Sequence, residues 1–447
     1  MRKNKMNAIN TRSAKLDEVV EPNNKDEKLN NDLNPNLLQI NGPLNVVRLE
    51  GTIGEIKKVI YLFFDFHMDL HLQTKCTNIY SKDVNMFFAE SFYELNKMDK
   101  KYDFFMEIRP RHDIYESKMD SIKKKKEIYI GEMMTLFSTI FQYDETKNQV
   151  NVSDHLKNVR LHYLDIRDYI QHHIINFFNE ALSIANQIMF TGHAHVEQLD
   201  KIIEVLKIQR EMLDTTINIF MDPESILIKE KKPVIQKVST TPYTPNIEPE
   251  IIANLSAKIK NKYNHSDVQK KINIIFNDII DQLKKVSNNI TAGIDFINYI
   301  IPIVQIPWND LVYDSITQKY FYGVSGKEIR QINIDIFNIC EDIHTDMTFY
   351  FVRLTDIYFL RRFLDKDYVT NGIVFSGAAH SLDYIEYLVK YFDFKITHVA
   401  YALDKNIDEL NKETKERLTD NETITDIFYP PKLYQCSDIT HFPKNFA

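Results

Sequence analysis

The run Val59-Ile60-Tyr61-Leu62-Phe63-Phe64 is β-branched, aromatic and apolar at every position. Such a run fits a strand covered on both faces, as in the centre of a parallel sheet flanked by helices. It ends in Asp65, His67, Asp69 and His71, so a buried strand carries acids and imidazoles to its own end. Three more runs behave similarly. Tyr102 to Ile108 carries Glu107 and leads to Arg109; Asn158 to Ile166 carries Asp165 and leads to Arg167 and Asp168. Gly372 to Ser376 leads into Gly377-Ala378-Ala379-His380.

Helical spacing separates these runs at Lys82 to Lys97, Glu132 to Phe141 and Ser381 to Phe392. Gly372 to Ser376, Ser381 to Phe392 and Lys395 to Ala402 read as a β-α-β unit. The alternation predicts an α/β fold with a mostly parallel sheet covered by helices. The middle differs. His172 to Gly192, His195 to Ile219, Ile251 to Lys260, Val268 to Ile300 and Lys327 to Leu364 repeat apolar residues at i, i+3 and i+4, which predicts a long helical insertion. The expected organisation is a polar, disordered arm over 1–36 and the N-terminal part of the α/β domain over 37–170. The helical insertion covers 171–365, with a proline-rich linker near 222–249, and the C-terminal part and tail cover 366–447.

Composition narrows the function classes. A net charge of −8, from 55 basic and 63 acidic residues, argues against general nucleic-acid binding. The most apolar stretch, 296–308, is interrupted by Asn298, Pro302, Gln305 and Pro307 and reads as a packed loop or core, not a membrane span. No signal peptide is expected, since the basic residues at the start precede no apolar core. Cys76, Cys340 and Cys436 are too widely spaced for a disulfide framework or a zinc finger, which predicts a reducing, intracellular setting. No phosphate-cradling loop, serine-hydrolase elbow or dinucleotide fingerprint is present.

Ligands of open parallel sheets bind beyond the C-terminal ends of the strands. That rim would collect His67, Glu107, His380 and Asp165 as candidate catalytic residues. Asp65, His67, Asp69 and His380 are the candidate ligands of a divalent Mn, Zn or Fe. Imidazole beside carboxylate serves equally for general acid–base work. Each residue also has a structural reading. Asp and His cap turns and helices, and a carboxylate in an apolar strand needs only a nearby cation. Gly192-His193-Ala194-His195 reads as a loop between helices, and His172, His173 and His344 as packing or surface residues. Arg361-Arg362 would bind an anion or pair with Asp365 and Asp367.

Two resemblances bear on these residues. Arg48-Leu49-Glu50-Gly51, Val59 to His67 and Gln73-Thr74-Lys75-Cys76 carry the first. With them go Leu360 to Lys366, Ser376 to Ser381 and Lys395-Ile396-Thr397-His398. Together these resemble an uncharacterised protein family of giant DNA viruses over most of residues 40–445. That resemblance implies a viral protein of the host cytoplasm or virion, with viral proteins as partners, and no known activity. The order strand–His67, strand–Glu107, strand–Asp165, helical insert, Gly377-Ala378-Ala379-His380 resembles the erythromycin esterase/TIKI/ChaN-like superfamily. It departs from it in having Phe64-Asp65 where that superfamily has Gly-Glu or Gly-Thr. Asp65-x-His67-x-Asp69 also looks like the metal motif of the ureohydrolase/deacetylase fold, although the second motif of that fold stands in the wrong order here.

The expectation is a hydrolase-like protein, metal-assisted or metal-free, acting on a small molecule or peptide, with no nucleic-acid or membrane partner. The alternative is a non-enzymatic scaffold or virion protein that retains an enzyme-like fold. Convergence of His67, Glu107 and His380 in space separates the two.

Overall fold

The computed structural model describes residues 33–67, 74–108, 129–144, 149–164, 166, 171–229, 249–305, 311–322, 327–403 and 405–446. The chain divides into two units, residues 1–165 with 362–447, and residues 166–361.

The first unit is α/β. Its longer strands and those the argument uses are β1 (Gln39–Asn41), β2 (Pro43–Ile53), β3 (Ile56–Asp65), β4 (Tyr102–Met106), β5 (Val159–Tyr163), β6 (Asn371–Gly377), β7 (Lys395–Val399) and β8 (Cys436–Asp438). Six of them form one sheet in the order β7-β2-β3-β6-β4-β5. β2 and β3 are an antiparallel hairpin, whereas β3–β6, β6–β4 and β4–β5 pair in parallel. The expected β-α-β unit is present, since β7 runs parallel to β6 in the same sheet, but its two strands are not neighbours. β6 and β7 are consecutive strands, but β6 lies at the centre and β7 at the far edge, antiparallel to β2.

Alternation along the strands sorts their side chains into two layers. Tyr61, Phe63, Phe104, Met106, Ile373 and Phe375 face one buried cluster together with α1 (Val84–Glu94) and α2 (Tyr129–Ile140). Aromatic rings dominate that cluster. Phe88 meets Phe63 edge-on at 4.7 Å, and Phe446, near the C-terminus, meets Tyr61 edge-on at 5.1 Å. The intervening residues Ile60, Leu62, Phe64, Phe105 and Val374 are buried as well. Both faces of the central strands are therefore dry, which is why β3 reads as an unbroken apolar run.

The second unit is built mainly from α3 (Gln171–Thr191), α4 (Val196–Met221), α5 (Pro249–Lys260), α6 (Ser266–Val304) and α7 (Ile329–Asp365), whose last residues from Arg362 belong to the first unit. Residues 296–304, expected as a packed loop or core, are the last turns of α6, which accommodates Pro302 near its end. Gly293 lets α6 approach α7 closely, since a Cβ there would stand 2.9 Å from Ile339. Strands Leu311–Asp314, Lys319–Tyr322 and Lys327–Glu328 add a small antiparallel sheet that helical spacing did not foretell. Arg361 donates to the carbonyls of Asn261 and Lys262 within this unit. Among the described residues no helix is long and apolar enough to cross a membrane.

Two features of the first unit are not announced by the sequence. Cys76 and Cys436, 360 residues apart, form a disulfide, so the widely spaced cysteines are not all free thiols as expected. Spacing alone cannot report which residues a sheet brings together. The other feature is Lys58 on β3, which is fully buried. Its ammonium donates to the carbonyls of Phe363, Lys366 and Val369 at 2.9, 3.0 and 2.7 Å. It thereby caps the C-terminal end of α7, where helical carbonyls lack partners and the dipole favours a cation. Burial lowers its pKa to about 8, against the pull of Asp367, Asp103 and Asp365. Lys58→Met would take a donor from three carbonyls, of which that of Lys366 keeps the Val369 amide. We expect a loss of about 2–4 kcal/mol in urea unfolding, with a smaller loss for Lys58→Arg.

Candidate active site

Parallel pairing in register makes strands end together. Gly377 at the end of β6 stands opposite Asp65 at the end of β3, and Phe375 opposite Met106 at the end of β4. Glu107 follows Met106, and its amide donates to Phe375 O at 3.2 Å, which carries the β6–β4 ladder one step past the strand. α8 (Ala378–Phe392) starts at once, with Gly377 as its N-cap residue. His380 lies in its first turn. Four side chains from three chain segments thus meet at one rim.

Glu107 is at their centre, with its side chain 7% exposed. Its Oε1 lies 3.0 Å from His380 Nε2. Its Oε2 accepts from the Gly377 amide at 2.6 Å and stands 3.8 Å from His67 Nε2. The other ring nitrogen of His67, Nδ1, is 2.6 Å from Asp65 Oδ2. The His67 side chain is 46% exposed, whereas that of Asp65 is 1% exposed. The solvent-facing member of the group is therefore His67, oriented from behind by a buried carboxylate. Asp65 Oδ1 is buried and accepts no hydrogen bond among the described residues.

The electrostatics follow from this geometry. Burial alone would raise the Glu107 pKa, but the charge and hydrogen bond of His380, with His67 beside it, hold its carboxyl well below the usual carboxylate range. Burial would lower the His67 pKa, but the carboxylates of Asp65 and Glu107 outweigh it and raise it to about 10. Near neutral pH Glu107 is thus ionised and His67 is an imidazolium.

Gly377 matters for a steric reason. A Cβ at this position would stand 3.2 Å from both Glu107 Oε2 and His67 Nε2, in the space between the acid and the imidazole. Glycine keeps that space open and leaves its amide close to Glu107. Nothing in the composition of Gly377-Ala378-Ala379-His380 announces this role, which appears only once β6 is set between β3 and β4.

Of the residues expected at the site, His67, Glu107, His380 and Asp65 converge. Asp165, Asp69 and His71 lie outside the described residues, as do Arg109, Arg167 and Asp168. Among the described residues no three His, Cys, Asp or Glu side chains are arranged to hold a metal ion. The donor geometry explains this, because Nε2 of both histidines faces Glu107 and Nδ1 of His67 is taken by Asp65. His162 is engaged elsewhere, 2.7 Å from Asp103, which also accepts two bonds from Arg160. His193 and His195 meet edge-on at 5.1 Å in the second unit.

Comparison with known proteins places the chain in a family. A model of a family of unknown function, DUF5847, matches residues 38–447. The chain is 42% identical over 424 residues to the uncharacterized protein R706 of Acanthamoeba polyphaga mimivirus, a match that covers 94% of this chain and 99% of that protein. It is 33% identical over 438 residues to the uncharacterized protein R161 of the same virus, covering 93% of this chain and 99% of that one. For the uncharacterized protein R160 the identity is 35% over 438 residues, covering 93% and 98%. No solved structure matches the chain. A match over the whole α/β unit and the helical unit settles membership: the chain belongs to DUF5847, a family of unknown function with relatives in a giant virus.

Proposed function

We propose that the rim group is a hydrolytic acid–base centre acting on a small ester, amide or peptide. The observation that carries this reading is the convergence of Asp65, His67, Glu107 and His380, with the two functional pKa values displaced in opposite directions. Environments that push two titrating groups apart assign the acid and the base. His67, protonated and half exposed, is the acid. Glu107, ionised, is the base. The 3.8 Å between Nε2 and Oε2 allows one oxygen atom to hydrogen-bond to both.

On this reading a water at that position gives a proton to Glu107 while its oxygen attacks the carbonyl carbon. The bond to the leaving oxygen or nitrogen breaks as His67 protonates it. The proton on Glu107 then returns to His67 through a second water, and both groups are reset. Asp65 holds the ring of His67 in orientation and stabilises its charge, as a carboxylate behind a catalytic imidazole does. His380 and the Gly377 amide fix Glu107. Neither pKa lies near neutrality, so each group is a modest catalyst but is in its working form over a wide pH range. Kinship with mimivirus proteins supports the host cytoplasm or the virion as the place of action.

The test is turnover of p-nitrophenyl esters and anilides by the full chain, beside elemental analysis. We expect kcat/KM to be flat across neutral pH and to fall above about 10 as His67 loses its proton. Glu107→Gln and His67→Ala should each lower kcat by at least about 100-fold. A rate that rises through neutral pH would reverse the roles of the pair. Near-stoichiometric Mn, Zn or Fe that disappears in a His67→Ala, His380→Ala variant would replace this mechanism with a metal-assisted one. No turnover of any substrate by a folded, metal-free protein would favour the scaffold reading.

Stability provides a check that needs no substrate. The Glu107 contribution is present above 4.5 and is lost as pH falls through its depressed folded value. The His67 contribution is full below 6.5 and is lost as pH rises through about 10. The wild type should therefore exceed Glu107→Gln by most, about 3 kcal/mol, between about pH 4.5 and 6.5, with the gap narrowing on both sides. A gap independent of pH in urea unfolding would show that the charges contribute nothing. Gly377→Ala should also lower kcat while leaving the sheet folded, because its methyl group would crowd the space between Glu107 and His67.

A further inference from the structure

The Cys76–Cys436 bridge joins two segments with different duties. Cys76 follows the chain that leaves the site strand after His67. Cys436 opens β8, which pairs with β1, and from there the chain runs as a strap to Phe442 and Phe446 in the aromatic cluster. Phe446 packs against Tyr61, Phe63, Phe87, Phe88 and Phe92. The Asn445 carbonyl accepts from the Tyr102 hydroxyl at 3.2 Å. The bridge therefore stands at the root of an element that completes the core.

The two backbones are also held together without the sulfurs. Thr74 donates through its amide and its hydroxyl to Gln435 Oε1, and the Gln435 amide donates to Thr74 Oγ1. The Cys76 amide donates to Asn41 Oδ1 at 2.7 Å, and the Gly42 amide to the Gln435 carbonyl at 3.0 Å. Opening the bridge would remove the covalent tether from both segments, while these hydrogen bonds keep the two thiols near enough to re-form it. Both cysteines are only partly buried, within reach of a soluble thiol. Cys340 is the contrast. It is buried, and burial pushes its thiol up to about 12, so it stays inert.

We infer that Cys76 and Cys436 form a reversible redox latch that fixes the chain leaving the site strand and the C-terminal strap together. The oxidant is a low-molecular-weight disulfide such as oxidised glutathione. One cysteine thiolate attacks it and releases one glutathione thiol; the second cysteine attacks the mixed disulfide and releases another. The S–S bond of glutathione breaks, the Cys76–Cys436 bond forms, and two electrons and two protons pass from the protein thiols to glutathione. Reduced glutathione runs the same exchange in reverse.

The test holds the full chain in glutathione buffers from fully oxidised to fully reduced. Alkylation and intact mass give the bridged fraction, and hydrogen exchange is read over residues 74–83 and 437–446. We expect the bridge to open within that range and close again on return. Exchange in both stretches should rise together by at least tenfold on opening, and Cys76→Ser and Cys436→Ser should match the reduced wild type in every buffer. A bridge that stays closed in reduced glutathione would make it a permanent staple and overturn the inference. So would opening that changes neither stretch, or only one. If a serine variant does not fold, the reduced wild type decides the matter alone. No outcome depends on hydrolytic activity.

Discussion

A carboxylate withdrawn from water must be given cations and N–H groups in return, and Glu107 imposes that demand at the point where the α/β unit comes together. Its two oxygens are met by an imidazole from the first turn of α8, by the amide that ends β6, and by the ring that follows β3. The donors come from two distant parts of the chain, the end of β3 and the β6–α8 junction. The same carboxylate therefore helps to fix the relative position of the strand ends and, together with Asp65, holds His67 in its charged form. What looks like a catalytic arrangement and what looks like a structural clamp are one set of contacts.

A second buried charge works at the other end of β3. Lys58 stands near the start of the strand and Asp65 at its finish, so a single apolar strand is bounded by an ammonium that caps α7 and a carboxylate that orients His67. The apolar residues between them supply the burial that holds the sheet together, and the polar ends determine what the sheet is joined to. Asp103, bonded to Arg160 and His162, does similar work between β4 and β5. In each case the polar group is buried with a partner, as the energetics of desolvation require.

His67, Glu107 and His380 were legible in the sequence because acids and imidazoles stand out beside uninterrupted apolar runs. Asp65 was legible as a ligand or a partner acid, whereas its place behind the His67 ring depends on side-chain geometry that no spacing encodes. Lys58 was invisible, since a lysine next to another lysine at the start of a strand reads as solvated. The α/β class followed from the alternation of strand and helix patterns, but the placement of β7 at the far edge did not, because a crossover may skip strands without any local signal. The Cys76–Cys436 pairing depends on the register between β1 and β8, a contact between distant parts of the chain. The small sheet in the second unit was hidden by the brevity of its strands.

The central position of β6 has a consequence in time. β3 and β4 are its neighbours, yet it begins at Asn371, whereas β4 ends at Met106. At translation rates of roughly 5–20 residues per second, a ribosome needs tens of seconds to make the chain between them. For that interval the nascent protein carries two strands whose inner edges have nothing to pair with, while the intervening helices can already form from local contacts. Unpaired edges of apolar strands invite association with other chains. The risk of aggregation in this protein is therefore concentrated in a defined period of synthesis, and it ends when one seven-residue segment emerges and enters the gap.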